Sequence, residues 1–100
     1  MLVSITGESL SLHGFEWDEL KRNVNVQKHG IDFTDAIRVF QDDRAISVRT
    51  YSGSDSVRWV TVGLVDGRLV AVIHTQRNDR TRIISARAAR NEEHKVYGPP

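Results

Sequence analysis

The chain contains no cysteine, which removes disulfide staples, thiolate metal sites and cysteine nucleophiles together and is compatible with a reducing compartment. It also lacks any apolar run near the ~18 residues a membrane-spanning helix needs. Its four histidines (13, 29, 74 and 94) show neither i, i+4 nor carboxylate spacing, so we expect no metal site and no cofactor. No Gly/Pro/Ser-rich linker, internal repeat or low-complexity stretch divides the sequence. One hundred residues then suggest a single small domain with one core. We place that domain at residues 13–100, after an extension over residues 1–12. The extension has no basic start and no sustained apolar segment, so it does not read as a signal peptide. A disordered tail, an extra strand and a misplaced start are its alternatives, and a cytoplasmic protein is the expectation.

Charge of either sign is scarce in sum but uneven in place. The formal net charge is +1, yet residues 1–50 hold six Lys/Arg against eight Asp/Glu, and residues 51–100 hold eight against five. That polarity of −2 against +3 fits a local phosphate site better than a broad basic surface. The arginines of the second half sit among residues that read as strand, in Ile73-His74-Thr75-Gln76-Arg77 and in Arg82-Ile83-Ile84-Ser85-Ala86-Arg87. A buried guanidinium needs an anionic partner or a solvent-lined cleft, so a functional site is the first suspect there.

Phe15-Glu16-Trp17 alternates as a short strand, and Asp18 then stands as an N-cap for a helix that Gly30 ends, with Leu20, Val24 and Gln27 or Lys28 as its inner stripe. Asp32 caps a second helix in which Phe33, Ala36, Ile37 and Phe40 share one face. From residue 44 the period becomes two. Strands are expected from Ile46 to a polar turn at Ser52-Gly53-Ser54-Asp55, over Val57–Val65, over Arg68–Thr75 and over Arg82–Ala86. Asp66-Gly67 marks a type I′ hairpin, and Arg68–Thr75, apolar on both faces, reads as the central strand. A short helix over Ala88–Tyr97, stopped by Gly98-Pro99-Pro100, closes the chain. The fold class is α+β: two N-terminal helices, a four-stranded antiparallel meander (five-stranded if Phe15–Trp17 joins it) and a C-terminal helix.

Five segments in this order and spacing resemble the BrnT family of toxins: Phe15-Glu16-Trp17-Asp18, Lys28-His29-Gly30-Ile31-Asp32-Phe33, Gly67-Arg68-Leu69-Val70, His74-Thr75-Gln76-Arg77 and Arg82-Ile83-Ile84-Ser85-Ala86-Arg87. The resemblance implies a RelE-like ribonuclease fold and a toxin of a type II toxin–antitoxin pair that cleaves RNA and halts translation. It further implies a ribbon-helix-helix antitoxin as hetero-oligomeric partner, with DNA bound only through that antitoxin. The last helix departs from the family pattern. Glu93 and Tyr97 fit it, whereas Asn91 and Glu92 stand where arginines are expected.

Metal-independent cleavage by the 2′-hydroxyl needs a base, positive charge on the pentacovalent phosphate and an acid for the leaving 5′-oxygen. Arg77 and Arg87 suit the phosphate, and the competing explanation is structural pairing with Asp79 and Glu93. His29 suits proton transfer and Lys28 the holding of a phosphate, and both equally suit the last turn of a helix. Glu93 suits a base, the orientation of an arginine or a solvated helix face. Arg82, His74, Arg90, Lys95 and Tyr97 are candidate RNA contacts, with His74 and Tyr97 equally readable as core. Trp17 and Trp59 read as core or interface. Strand parity links the arginines: a turn of two or four residues after Arg77 sets Arg77 and Arg87 on opposite faces, and one of three, Asn78-Asp79-Arg80 with a bulge, sets them on one face with Ser85. We take the three-residue turn.

Overall fold

The computed structural model describes residues 14–51 and 57–99; the N-terminal extension and the Ser52–Asp55 turn lie outside them. Strand β1 (Phe15–Glu16) leads into helix α1 (Glu19–His29). Asp18 accepts the Leu20 N–H at 2.8 Å to start α1, and Gly30, at φ 71°, ends it by donating to the Val26 carbonyl. Glycine belongs there because a left-handed C′ position penalises a Cβ. Asp32 caps the next helix through the Thr34 N–H, while Arg22 clasps the same carboxylate with Nε and Nη2. The Arg22 guanidinium pulls the Asp32 carboxyl down to about 2.

Helix α2 (Phe33–Ala36) tightens at once into a 3₁₀ turn, Ile37–Gln41. The expected inner stripe of Phe33, Ala36, Ile37 and Phe40 changes with it. With three residues per turn, Phe33, Ala36 and Val39 come to lie fully buried, and Ile37 and Phe40 are only half-buried. The α1 expectation fails more completely. Leu20 is 75% and Val24 60% exposed, and the buried residue of α1 is Asn25. Its amide pairs with strand backbone, so α1 docks by hydrogen bonds along a sheet edge and not by an apolar stripe.

The sheet contains β2 (Ile46–Tyr51), β3 (Val57–Val65), β4 (Arg68–Arg77) and β5 (Arg80–Ala88) in the order β1-β5-β4-β3-β2. The four long strands form the expected antiparallel meander, with β4 at the centre. The fifth strand does join, but β1 runs parallel to β5, through Phe15 to Thr81 and Glu16 to Arg82, so the sheet is mixed. Helix α3 (Asn91–Tyr97) starts three residues later than the spacing suggested, because β5 continues to Ala88.

The β3–β4 and β4–β5 hairpins each turn on two residues in the left-handed region, Asp66-Gly67 and Asn78-Asp79. Asn and Asp tolerate that region better than other side-chain-bearing residues do, which makes Asn78-Asp79 a workable type I′ turn without glycine. One sheet face packs Val70, Val72, Ile83 and Ala86 against Ile31, Phe33, Ala36 and Val39. The opposite face packs Val62, Leu69 and Ala71 against Tyr97 of α3. Each Val, Leu, Ile or Phe side chain buried in these clusters contributes about 2 kcal/mol.

Candidate functional site

Helix α3 is two turns long and covers the end of its sheet face near the β3–β4 hairpin, leaving a cleft of about 300 Å³. Ile46, Val48, Val60 and Val62 form its floor, and Arg87, Glu93, Val96 and Tyr97 its helix side. Val48 and Val96 stay 52% and 60% exposed, so the cleft is apolar and open around one strongly held cation.

That cation is Arg87. Its Nη1 and Nη2 donate to the two Glu93 carboxylate oxygens at 2.7 and 2.9 Å, a bidentate pair with both side chains mostly buried. Glu93 also accepts the Arg90 N–H at 2.8 Å, which ties the first turn of α3 to the same carboxylate. The Arg87 guanidinium, with help from that backbone N–H and against partial burial, holds the Glu93 carboxyl below its ordinary value. Glu93 is therefore an anion that orients an arginine, one of the three roles open to it in the sequence.

Tyr97 anchors the far end of the helix. Its Oη donates to Asp42 Oδ2 at 2.6 Å, and Asp42 also accepts the Leu64 N–H and the Arg44 N–H. Burial pushes the Asp42 carboxyl up, but these three donors outweigh it and leave the group below its usual value. The Asp42 bond likewise raises the Tyr97 phenol. Arg44 stacks 4.8 Å from the centre of the Tyr97 ring. Tyr97 is buried in this way and anchors the helix, in line with the core reading of its two alternatives.

The parity argument reaches its conclusion by a different route. The turn after Arg77 has two residues, since Arg77 pairs directly with Arg80. Parity is restored further along, because His74 pairs with Ile83 and Ile73 with Ser85, leaving Ile84 as an extra residue in a β-bulge. Arg77, Arg80, Arg82 and Arg87 consequently share the face that carries α3. They do not share one phosphate. Arg87 lies opposite Ala71, six residues from Arg77 along β4, or ~20 Å at strand rise. Ser85, opposite Ile73, falls on the same face by register, and its hydroxyl donates to Asn25 Oδ1 at 3.1 Å.

Register adds a residue that the sequence reading missed. On β3, Arg58 alternates with Val60 and Val62 and pairs on β2 with Thr50, so it falls on the α3 face as well. Arg58, Arg77 and Arg80 meet no acid among the described residues. The Arg58-Trp59-Val60 alternation was the available signal, obscured because arginines outside the family motif drew no notice.

The remaining candidates scatter. Arg82 donates to Glu16 at 2.9 Å and ties β5 to β1. His74 is 8% exposed on the helix-packed face, with Nε2 2.7 Å from Thr61 Oγ1 and its ring edge-on to Phe40. Burial lowers its pKa to about 4, so it is a neutral histidine in the core near neutral pH. Thr61 continues the bond to Ser47 at 2.7 Å, while His74 Nδ1 is buried without a partner. Lys28 and His29 border a different pocket, with Leu20, Val24, Asn25, Ile84 and Ser85. Arg90 and Lys95 are exposed on α3. Trp17 packs edge-on against Phe33, and Trp59 lies under the Arg49 guanidinium at 5.9 Å. Among the described residues no three His, Asp or Glu side chains gather as a metal-binding group, and no helix is long and apolar enough to cross a membrane.

A comparison with curated proteins finds no match. A family model described as the ribonuclease toxin BrnT of type II toxin–antitoxin systems matches residues 17–93. That span runs from the start of α1 to Glu93 and includes every arginine of the α3 face. The chain belongs to the BrnT family of ribonuclease toxins of type II toxin–antitoxin systems.

Proposed function

We infer that the chain is a metal-independent endoribonuclease with a RelE-like fold, acting in the cytoplasm to inhibit translation. The observation that carries this reading is Arg87, a guanidinium fixed by Glu93 at an open cleft on a face rich in arginine. A positioned guanidinium stabilises the charge of a pentacovalent phosphate without reorganising during the reaction. The 2′-oxygen attacks phosphorus, its proton goes to a base, and the P–O5′ bond breaks as an acid protonates the leaving oxygen. One product then carries a 2′,3′-cyclic phosphate and the other a 5′-hydroxyl. His29 is the proton-transfer candidate and Lys28 a further phosphate contact, because the β5 strand lines both their pocket and the Arg87 cleft. Glu93 acts as a positioning residue.

An antitoxin of ribbon-helix-helix type covers the cleft in this reading, with apolar side chains on Val48 and Val96 and acidic ones toward the arginines, forming a hetero-oligomer that contacts DNA only through the antitoxin. The complex should then cleave RNA more slowly than the free toxin. An assay of both in parallel checks this, and equal rates would contradict it.

Glu93 also motivates a second reading. It occupies two donors of Arg87, and Asn91 and Glu92 reduce the charge of α3, as in a module that has lost activity and serves as the antitoxin's partner in transcriptional autoregulation. Incubating the purified protein with free RNA and with translating ribosomes in EDTA, then labelling product ends, separates the two. Cleavage to 5′-hydroxyl ends supports the enzyme; no cleavage of either substrate supports the inactive module.

A further inference from the structure

We propose that Arg58, Arg77 and Arg80 form a second phosphate-binding site for the RNA strand, ~20 Å from Arg87 on the same sheet face. The inference rests on the ribonuclease reading of that face. Arg77 and Arg80 are direct cross-strand partners in the β4–β5 hairpin, and like charges so placed repel each other. Arg58 lies diagonal to them: it precedes Trp59, the partner of His74, so continuing that ladder by one residue sets it beside Thr75, whose partner Arg82 is one same-face step from Arg80. Neighbouring Arg82 is neutralised by Glu16, but none of the three has a carboxylate partner among the described residues. Among the described residues no carboxylate compensates this concentration of positive charge. A polyanion laid along the face compensates it directly.

The spacing then gives the ligand a minimum length. At a rise of ~3.4 Å per nucleotide in a stacked strand, ~20 Å corresponds to about six nucleotides between the phosphate at Arg87 and the phosphates at this patch. An RNA of four nucleotides held at Arg87 does not reach it. Substrate grip and chemistry are thereby separated along one face, the distal arginines acting on binding and not on the reacting phosphate.

The test uses the full chain and a 12-nucleotide uridine strand with 2′-O-methyl riboses, which binds without being cut. Each lost phosphate contact on a single strand lowers the slope of log affinity against log salt by about 0.7, so Arg58→Ala/Arg80→Ala should lower it by about 1.4. Arg58→Lys/Arg80→Lys should restore most of the slope, which a folding defect at these positions does not predict. With cleavable RNA, the alanine pair should raise KM for a 12-mer about tenfold at unchanged kcat, and leave kcat/KM for a 4-mer unchanged. An unchanged salt slope, or a loss confined to antitoxin affinity, would overturn the proposal. Slope changes as stated in a protein that cuts no RNA would overturn the enzyme reading and leave this binding site standing.

Discussion

Arg87 and His74 come from motifs only a few residues apart and have opposite fates. Arg87 meets a carboxylate at the border of a cleft, while His74 enters the core with one ring nitrogen satisfied by Thr61. The unpartnered Nδ1 is best left as a lone pair, with Nε2–H donating to Thr61, because an unpaired buried N–H costs more than an unpaired acceptor. Burial lowers the His74 pKa from 6.5 to about 4. The unfolded chain therefore binds the proton first as pH falls, and stability should decline through the window from about 6.5 to 4. The upper bound on that loss is about 3 kcal/mol. Urea titrations of the natural protein and His74→Leu should show a shallower pH dependence for the variant in that window, and parallel curves would contradict this. His74→Leu should also keep RNA cleavage within a few-fold.

At the scale of elements, the caps, the Asp66-Gly67 turn, the meander and the central position of β4 were legible because local chemistry dictates them, whereas the turn after Arg77 is one residue shorter than expected. Asp18, Gly30, Asp32 and Asp66-Gly67 each satisfy or release backbone groups within a few residues. The α1 stripe was not legible, because Asn25 is buried by a distant partner. It donates to the Ile31 and Ala86 carbonyls and accepts from the Ala86 N–H and the Ser85 hydroxyl, completing the β5 edge just beyond the reach of β1. Asn25→Ala should cost about 3 kcal/mol, since it strands buried strand groups, and a loss under ~1 kcal/mol in denaturant unfolding would refute that role. The Ile84 bulge was equally hidden, for nothing local fixes where a ladder slips. Helix α3 is too short to persist alone and depends on its Tyr97 anchor. Tyr97→Phe should lower Tm by about 5 °C and reduce cleavage in step with the loosening of the Arg87 cleft; an unchanged Tm would argue against the anchor.

Across the whole molecule, one face of the sheet carries the larger core cluster and the other a smaller cluster under α3 beside the arginines. Helices α1 and α2, the 3₁₀ turn and β1 supply the core side or the β5 edge, and only α3 overlies the arginine face. The near-neutral sum of charges concealed this arrangement, since carboxylates that balance the count lie at helix caps and turns: Asp32 with Arg22, Asp66 with Arg38. The motif residues of the site were visible in the sequence. What the sequence withheld was their grouping, with Lys28 and His29 at one border of β5, Arg87 in the α3 cleft and Arg77 well beyond it. The account stands most directly on Arg87 and is tested by single-turnover cleavage of a labelled RNA in EDTA by the natural protein, Arg87→Lys, Arg87→Ala and Glu93→Gln. The predicted order is natural protein first, then Glu93→Gln about tenfold slower, Arg87→Lys slower again and Arg87→Ala at least a hundredfold slower. Undiminished cleavage by Arg87→Ala would contradict the account.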